Sequence, residues 1–432
     1  MVSDAAARAA PLPARAEGGR PLGGHIARSP MALWGGFVAV HVVVAFLALI
    51  APGARLGDVS SVYLPWALQA EHGSVPGIGS PWVYPIAAVV PILVPLVAGA
   101  QHYVALWLVL VFVADALAFA VLVGSRRERG ALAAWWWLGF TLLLGPVGLA
   151  RLDTLCVPAV IVGLLWLSVR PRAAALLLTL ATWVKVWPAA ALAAIVVASR
   201  RRRAVAGIAL AASVVIVVAA LLLGAGVNVL SFVTAQTSRG VQVESPVGTI
   251  WMWQAALHLG GSFVYYDRPL NTFQVTGAGI GTAIEWMNPL LACAVAAVLL
   301  AGIRRVRLGS SRTGALTGVL APLALALLTA LIAFNKVGSP QYMLWLVPPI
   351  VLGLVLSPRM FRTPALLVAA MAGLTQVFYP YLYLDLLALN PVLVGVLTVR
   401  NVLLFVVLGW ASAQLWRAGA SPSQEPCQQS KE

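Results

Sequence analysis

Long apolar runs recur along the chain, separated by short stretches that hold nearly all of its charge. Crossing a hydrocarbon core about 30 Å thick takes roughly 20 residues of helix, and the first run of that kind is Met31 to Ala51. Further runs near 102–123, 131–149, 154–169, 204–223, 284–302, 314–333, 342–356, 364–384 and 398–416 predict more crossings. Between Arg172 and Arg200 lie only 27 residues. Two short helices meeting near Lys185, Val186, Trp187 and Pro188 are expected there, because proline opens a helix readily and breaks one from inside. A single kinked helix is the other possibility, and it would invert everything downstream.

The arginines favour the first, with the second left open. Residues 1–30 carry Arg8, Arg15, Arg20 and Arg28, and six more basic clusters follow: Arg126, Arg127 and Arg129; Arg170 and Arg172; Arg200 to Arg203; Arg304, Arg305, Arg307 and Arg312; Arg359 and Arg362; Arg417 and Lys431. If all are cytoplasmic, as the positive-inside rule requires, an even number of crossings separates each pair. The expectation is an all-α polytopic membrane protein of about 12 transmembrane helices, both termini cytoplasmic. It has a basic tail at 1–30, a membrane domain at 31–416 and a second tail at 417–432. The lead-in and apolar length of the first run suit an anchor, not a cleaved signal peptide.

Two long outer loops are expected. The first, 52–101, includes SPWVYPIAAVVPILVPL with Pro81, Pro85, Pro91 and Pro95. That pattern suits re-entrant or interfacial helices, with Tyr63, Trp66, Trp82 and Tyr84 at headgroup depth. The second, 224–283, carries TSRGVQVESP and then IWMW.

Composition sharpens this picture. Of 432 residues 61% are hydrophobic and 9% charged, with a net charge of +15 and a mean hydropathy of +0.93, which excludes a water-soluble globule. The clusters hold 21 of the 28 basic residues with 5 acids, the outer side has 7 of each, and Asp115 alone lies within the membrane. The excess is therefore an orienting collar, with no need of nucleic acid. Three scattered cysteines make no disulfide framework or metal cluster. Only Lys185, Lys336 and Lys431 are lysine, and with the Ala and Gly load this suggests a GC-rich bacterial genome of the actinobacterial kind.

The candidate chemistry lies outside. Asp58, in RLGDVSSVYLPWALQA, is either a solvated loop acid or, in its aromatic setting, a general base. Lys185, in ATWVKVWPA, either snorkels or offers a fixed cation to a departing phosphate. Arg151 and Asp153, in LARLDTL, could pair with each other or present an acid to sugar hydroxyls. Lys336, in FNKVGSPQYMLW, groups with Asn335, Gln341 and Tyr342 as donors suited to phosphate or hydroxyls. Arg239 with Glu244, and Arg400 at the outer mouth of the last helix, complete the set. His41 reads as a core histidine and Asp115 as the partner of a neighbouring helix. No Gly-rich nucleotide loop, zinc-ligand spacing or GxSxG elbow is present, which argues against a nucleotide-sugar or ATP substrate.

In the order of these elements the chain resembles the GT-C superfamily of integral-membrane glycosyltransferases. It is similar in particular to glycosyltransferase family 87, the actinobacterial polyprenol-phosphate-mannose-dependent mannosyltransferases that act on phosphatidylinositol mannosides. GDVSSVYLPWA, the Pro-rich segment, TWVKVWPA, SRGVQVESP and FNKVGSPQYMLW carry the likeness. The resemblance implies a GT-C fold and a catalytic base at Asp58. Lys185, Lys336 and Arg400 would face the donor phosphate, and Asp153, Arg239, Glu244, Gln341 and Tyr342 the sugar or acceptor. It implies an inverting single displacement from a polyprenyl-phosphate sugar to a glycolipid acceptor such as a phosphatidylinositol mannoside. The site would lie on the extracytoplasmic face of a bacterial plasma membrane, with no cofactor and no metal required. Many relatives begin the fourth helix with a Gly-Gln-x-Asn-like string where this chain has ARLDTL. A twelve-helix transporter or lipid flippase is the rival reading, but it should show related halves and polar residues at mid-membrane.

Overall fold

The computed structural model describes residues 29–50, 56–124, 127–237, 239–268, 270–308 and 314–417. Most of the two expected tails, with Arg55, Arg126, Arg312 and Lys431, falls outside them. Helix α1 (Pro30–Ile50) begins on a proline, whose missing N–H is no loss in a first turn. A π-helical turn (Val59–Tyr63) then runs into α2 (Leu64–Glu71), and with Pro81, Pro85, Pro91 and Pro95 around it α3 (Val89–Leu93) is short, between two 3-10 turns. Then come α4 (Tyr103–Gly124), α5 (Arg127–Leu144), α6 (Leu152–Trp166), α7 (Pro171–Val184), α8 (Ala189–Ala198) and α9 (Arg202–Leu222).

After α10 (Ser231–Thr237) the chain departs from helix. Strands β1 (Val241–Gln242), β2 (Phe263–Asp267) and β3 (Thr272–Thr276), with α11 (Thr249–Ala256) between the first two, make an antiparallel sheet of order β1-β3-β2. Val241 pairs with Val275, and Val264 pairs with it from the other side. The apolar pattern did not anticipate this sheet, since its strands have at most five residues. The helices resume with α12 (Ile280–Leu308), α13 (Gly314–Ala333), α14 (Val347–Leu356), α15 (Pro358–Gln376), α16 (Tyr383–Leu387) and α17 (Pro391–Trp416).

Each expected crossing is occupied by helix, so the chain is an all-α polytopic membrane protein. Among the described residues seven helical stretches are long and apolar enough to span a bilayer. Large apolar side chains face outward on them, including Val42, Leu117, Leu210 and Val215. Such a surface is fit to meet lipid, not water. The helix ends that bear arginines are tied to one another: Arg129 donates to Leu356 O at 3.4 Å, and the Arg304 guanidinium lies 4.3 Å from the Trp416 ring centre.

Four helices at expected crossings are short, although α14 continues a 3-10 turn (Pro340–Leu346). α6, α7, α8 and α14 have 15, 14, 10 and 10 residues, or about 22, 21, 15 and 15 Å at 1.5 Å per residue. The stretch between Arg172 and Arg200 is indeed two helices, because Lys185 is extended (φ −143°, ψ 141°) and Pro188 precedes α8. Trp183 near the tip donates to Ser213, midway along α9, at 2.9 Å. Polar residues gather where α6 starts, where α7 gives way to α8 and in the turn before α14, and the place where they meet is the recess described below.

Several boundaries differ from expectation, among them that of α15, which starts at Pro358 and so includes Arg359 and Arg362. α12 starts at Ile280, inside the expected loop. α17 starts at Pro391, with the Asn390 side chain accepting from Val392 N, so Arg400 lies about two and a half turns inside the helix and not at its mouth. Asn390 and Pro391 together are a strong helix start, which outweighs the charge of Arg400 as a boundary mark.

His41 and Asp115 pair across α1 and α4, Nε2 to Oδ2 at 3.2 Å, both buried. Breaking a buried pair leaves the survivor unmatched, while replacing both groups by apolar ones removes the mismatch. His41→Leu or Asp115→Leu alone should cost about 1–2 kcal/mol, and the double variant less than their sum, read by thermal unfolding in detergent. Additive losses would show that the pair carries no coupling.

Candidate active site

Helix α4 and the π-helical turn after Asp58 are both bound to the chain entering α6. Trp107 Nε1 donates to Leu149 O at 2.9 Å, and the Tyr63 hydroxyl, on the turn that follows Asp58, accepts from Leu152 N at 3.3 Å. This brings Asp58 against Arg151, Oδ1 to NH1 at 2.5 Å. Arg151 also donates through NH2 to the Tyr379 hydroxyl at 2.8 Å. Asp58 keeps 30% of its side chain exposed, against 8% for Arg151.

Two residues on, a second pair faces the same recess. Asp153 is wholly buried, its Oδ2 3.2 Å from Lys185 Nζ, while Oδ1 accepts from Trp345 Nε1 at 2.7 Å. Arg151 and Asp153 therefore do not pair with each other; each takes its partner from another segment. The Lys185 ammonium lies 4.2 Å from the Tyr84 ring centre, a cation–π contact. Trp345 stacks on Trp187 with an interplanar angle of 14° and lies 4.1 Å from Tyr342, centre to centre. The recess thus has two carboxylates, two cations and a set of aromatic faces. α6 also presents its N-terminal end here, where backbone N–H groups favour an anion.

A second polar cluster lies behind the first. Glu244 is buried, and its Oε1 accepts from the Tyr383 hydroxyl at 2.6 Å. Burial raises its carboxyl above the ordinary glutamate range, and the Tyr383 hydrogen bond and Arg400 oppose the rise. Arg400, completely buried, donates to the Glu244 backbone oxygen at 3.1 Å. Glu244 is therefore joined to Tyr383 and Arg400. Tyr383 packs edge-to-face on Tyr379 at 4.9 Å, which links the two clusters.

The NKVGSPQ turn forms a wall against the loop that carries Glu244. Gln242 N donates to Lys336 O at 2.9 Å, and Gly338 N donates to Gln242 Oε1 at 3.1 Å. Lys336 is buried, and burial lowers its ammonium below the usual lysine range. Gln341, also buried, accepts from Ser339 Oγ at 3.0 Å. Arg239 acts electrostatically on Tyr342, and its buried Nε has no hydrogen-bond partner among the described residues. Asp58, Lys185, Asp153 and Tyr342 are thus brought together, while Lys336, Gln341, Glu244 and Arg400 pack in the wall and in the cluster behind it.

Arg151, Tyr84, Trp345, Tyr379 and Tyr383 are the parts that spacing did not disclose as site residues. ARLDTL held the only signal, an opposite-charge pair at a helix start; the aromatic residues share no period. Among the described residues no three His, Cys, Asp or Glu side chains converge as a metal site.

No family model and no curated protein matches the chain. Among solved structures it is similar to one titled "Crystal Structure of ArnT from Cupriavidus metallidurans in the apo state", with 15% identity, 90% of this chain and 77% of that one covered, and a TM-score of 0.44.

Gly338 tests the wall. A Cβ there would stand 2.2 Å from the Ser245 backbone and 2.5 Å from Glu244 C, and backbone cannot swing aside. Gly338→Ala should lower stability by about 1–3 kcal/mol and make the Glu244 loop easier for protease to cut. Unchanged unfolding and proteolysis would show that the turn and loop are not locked.

Proposed function

We propose that the chain is a GT-C-type membrane glycosyltransferase that moves a sugar from a polyprenyl-phosphate donor to a lipid-linked or glycolipid acceptor. Mannose is the proposed sugar, a phosphatidylinositol mannoside the proposed kind of acceptor, and the extracytoplasmic face of the plasma membrane the proposed side. The observation that carries this reading is the juxtaposition of Asp58 and Lys185 through the neighbouring residues Arg151 and Asp153. It puts a solvent-reachable carboxylate and a fixed cation in one recess.

The chemistry needs those two parts. As the acceptor hydroxyl attacks the anomeric carbon, the bond from that carbon to the phosphate oxygen breaks, and configuration inverts. Asp58 takes the hydroxyl proton, and Lys185 meets the charge that develops on the leaving polyprenyl phosphate. Asp153 fixes the Lys185 ammonium in place, and Tyr84, Tyr342 and Trp345 offer faces on which a sugar ring can stack. We assign Arg239, Glu244 and Gln341 to the acceptor side, and Lys336 and Arg400 to holding the wall that shapes the phosphate side. The donor brings its own leaving group, so the reaction as proposed uses no cofactor.

In membranes supplied with polyprenyl-phosphate mannose, Asp58→Asn should lower transfer about 10²–10⁴-fold, as loss of a general base does, with the protein still folded. Lys185→Ala should raise the donor KM more than the acceptor KM. Full turnover by the Asn variant removes Asp58 as base. Substrate uptake or lipid movement without any transferred sugar would favour a transporter.

A further inference from the structure

Arg151 is more demanding than its contacts satisfy. It is 7% exposed, and among the described residues its Nε and NH1 have no hydrogen-bond partner, although NH1 lies 2.5 Å from Asp58 Oδ1 as an ion pair. A guanidinium has five donors in a rigid fork that matches two oxygens of a carboxylate or a phosphate. This one stands at the N-cap of α6, a helix of 15 residues, with the Lys185 ammonium held by Asp153 two positions on. The arrangement is an anion cradle, and its present occupant is the protein's own Asp58.

We propose that Arg151 is a latch on Asp58, released when a phosphate ester enters the recess. The inference rests on the transfer reading above. Exposure differs between the partners: a buried guanidinium must keep an anion, because its alternative is an unmatched charge away from water, whereas Asp58 can fall back on solvent. An incoming phosphate therefore replaces Asp58 at Arg151 without stranding either group. Tyr379 holds NH2 and acts as the pivot. Freed from Arg151, the carboxylate has a vacant oxygen to accept the acceptor proton. The donor must then bind before the base is competent, and Arg151 acts as a positioning residue for Asp58 as well as a phosphate ligand.

The latch has a signature with an unusual sign, because removing the competing carboxylate should improve phosphate binding. Purified full-length protein in detergent is titrated with decaprenyl phosphate, inorganic phosphate and phosphatidylglycerol. Asp58→Asn should bind decaprenyl phosphate about tenfold more tightly than the unmodified protein, about 1.4 kcal/mol, and Arg151→Gln about tenfold more weakly. In the double variant the tightening should vanish, and Arg151→Lys should restore binding only in part. If the Asn variant fails to fold, Asp58→Ser carries the same test. Tightening by inorganic phosphate as well would show that the phosphate group itself is read. Equal or weaker binding by both Asp58 variants, tightening that persists without Arg151, or tightening by phosphatidylglycerol alone each overturns the latch. Binding without coupling leaves the transfer reading standing; no binding of decaprenyl phosphate by any variant overturns both.

Discussion

The structure of the recess depends on two ion pairs that start two residues apart. Arg151 and Asp153 sit at the first turn of α6, and each reaches a different segment, the first to Asp58 and the second to Lys185. Charges withdrawn from water are costly unless matched, so segments far apart in the chain are drawn to one point. The turn after α15 joins through Tyr379, and α14 is reached through Trp345, on the 3-10 turn before it. Paired with each other, Arg151 and Asp153 would have left those segments without a common anchor.

The long helices carry much of the outward apolar surface, whereas the polar residues gather where α6 starts, where α7 gives way to α8 and in the turn before α14. The wall behind is built from the sheet and the turn at 335–341, interlocked so closely that Gly338 cannot bear a side chain. Of the Asp58–Arg151 pair, one partner stays within reach of solvent while the other is enclosed, and the proposed exchange with a substrate anion rests on that asymmetry.

Much of this was legible along the chain. Apolar runs marked the helices, because a spanning segment must satisfy its backbone internally and shed charge, and arginine parity favoured two helices over one around Lys185. Asp58, Lys185 and Asp153 stood out because charges are rare in so apolar a sequence. Less legible were Arg400, read as a loop-end charge though Asn390 and Pro391 start its helix earlier, and the small sheet, whose strands are too short for any period to show. Tyr84, Tyr379 and Tyr383 looked like ordinary interfacial aromatics, since a phenol gives no sign of its hydrogen-bond partner.

The sequence by itself determined that this is a helical membrane protein, roughly where its long helices lie, and which few charges stand outside the basic clusters. Those properties are set by local composition and by the cost of charge in hydrocarbon. Partnership was decided by tertiary structure alone. Arg151 turned to Asp58 and Asp153 to Lys185, Glu244 went to Tyr383, and Lys336 became part of a wall. These choices depend on which segments meet at the recess, and contacts between residues as far apart as 153 and 345 leave no periodic trace in the chain that makes them.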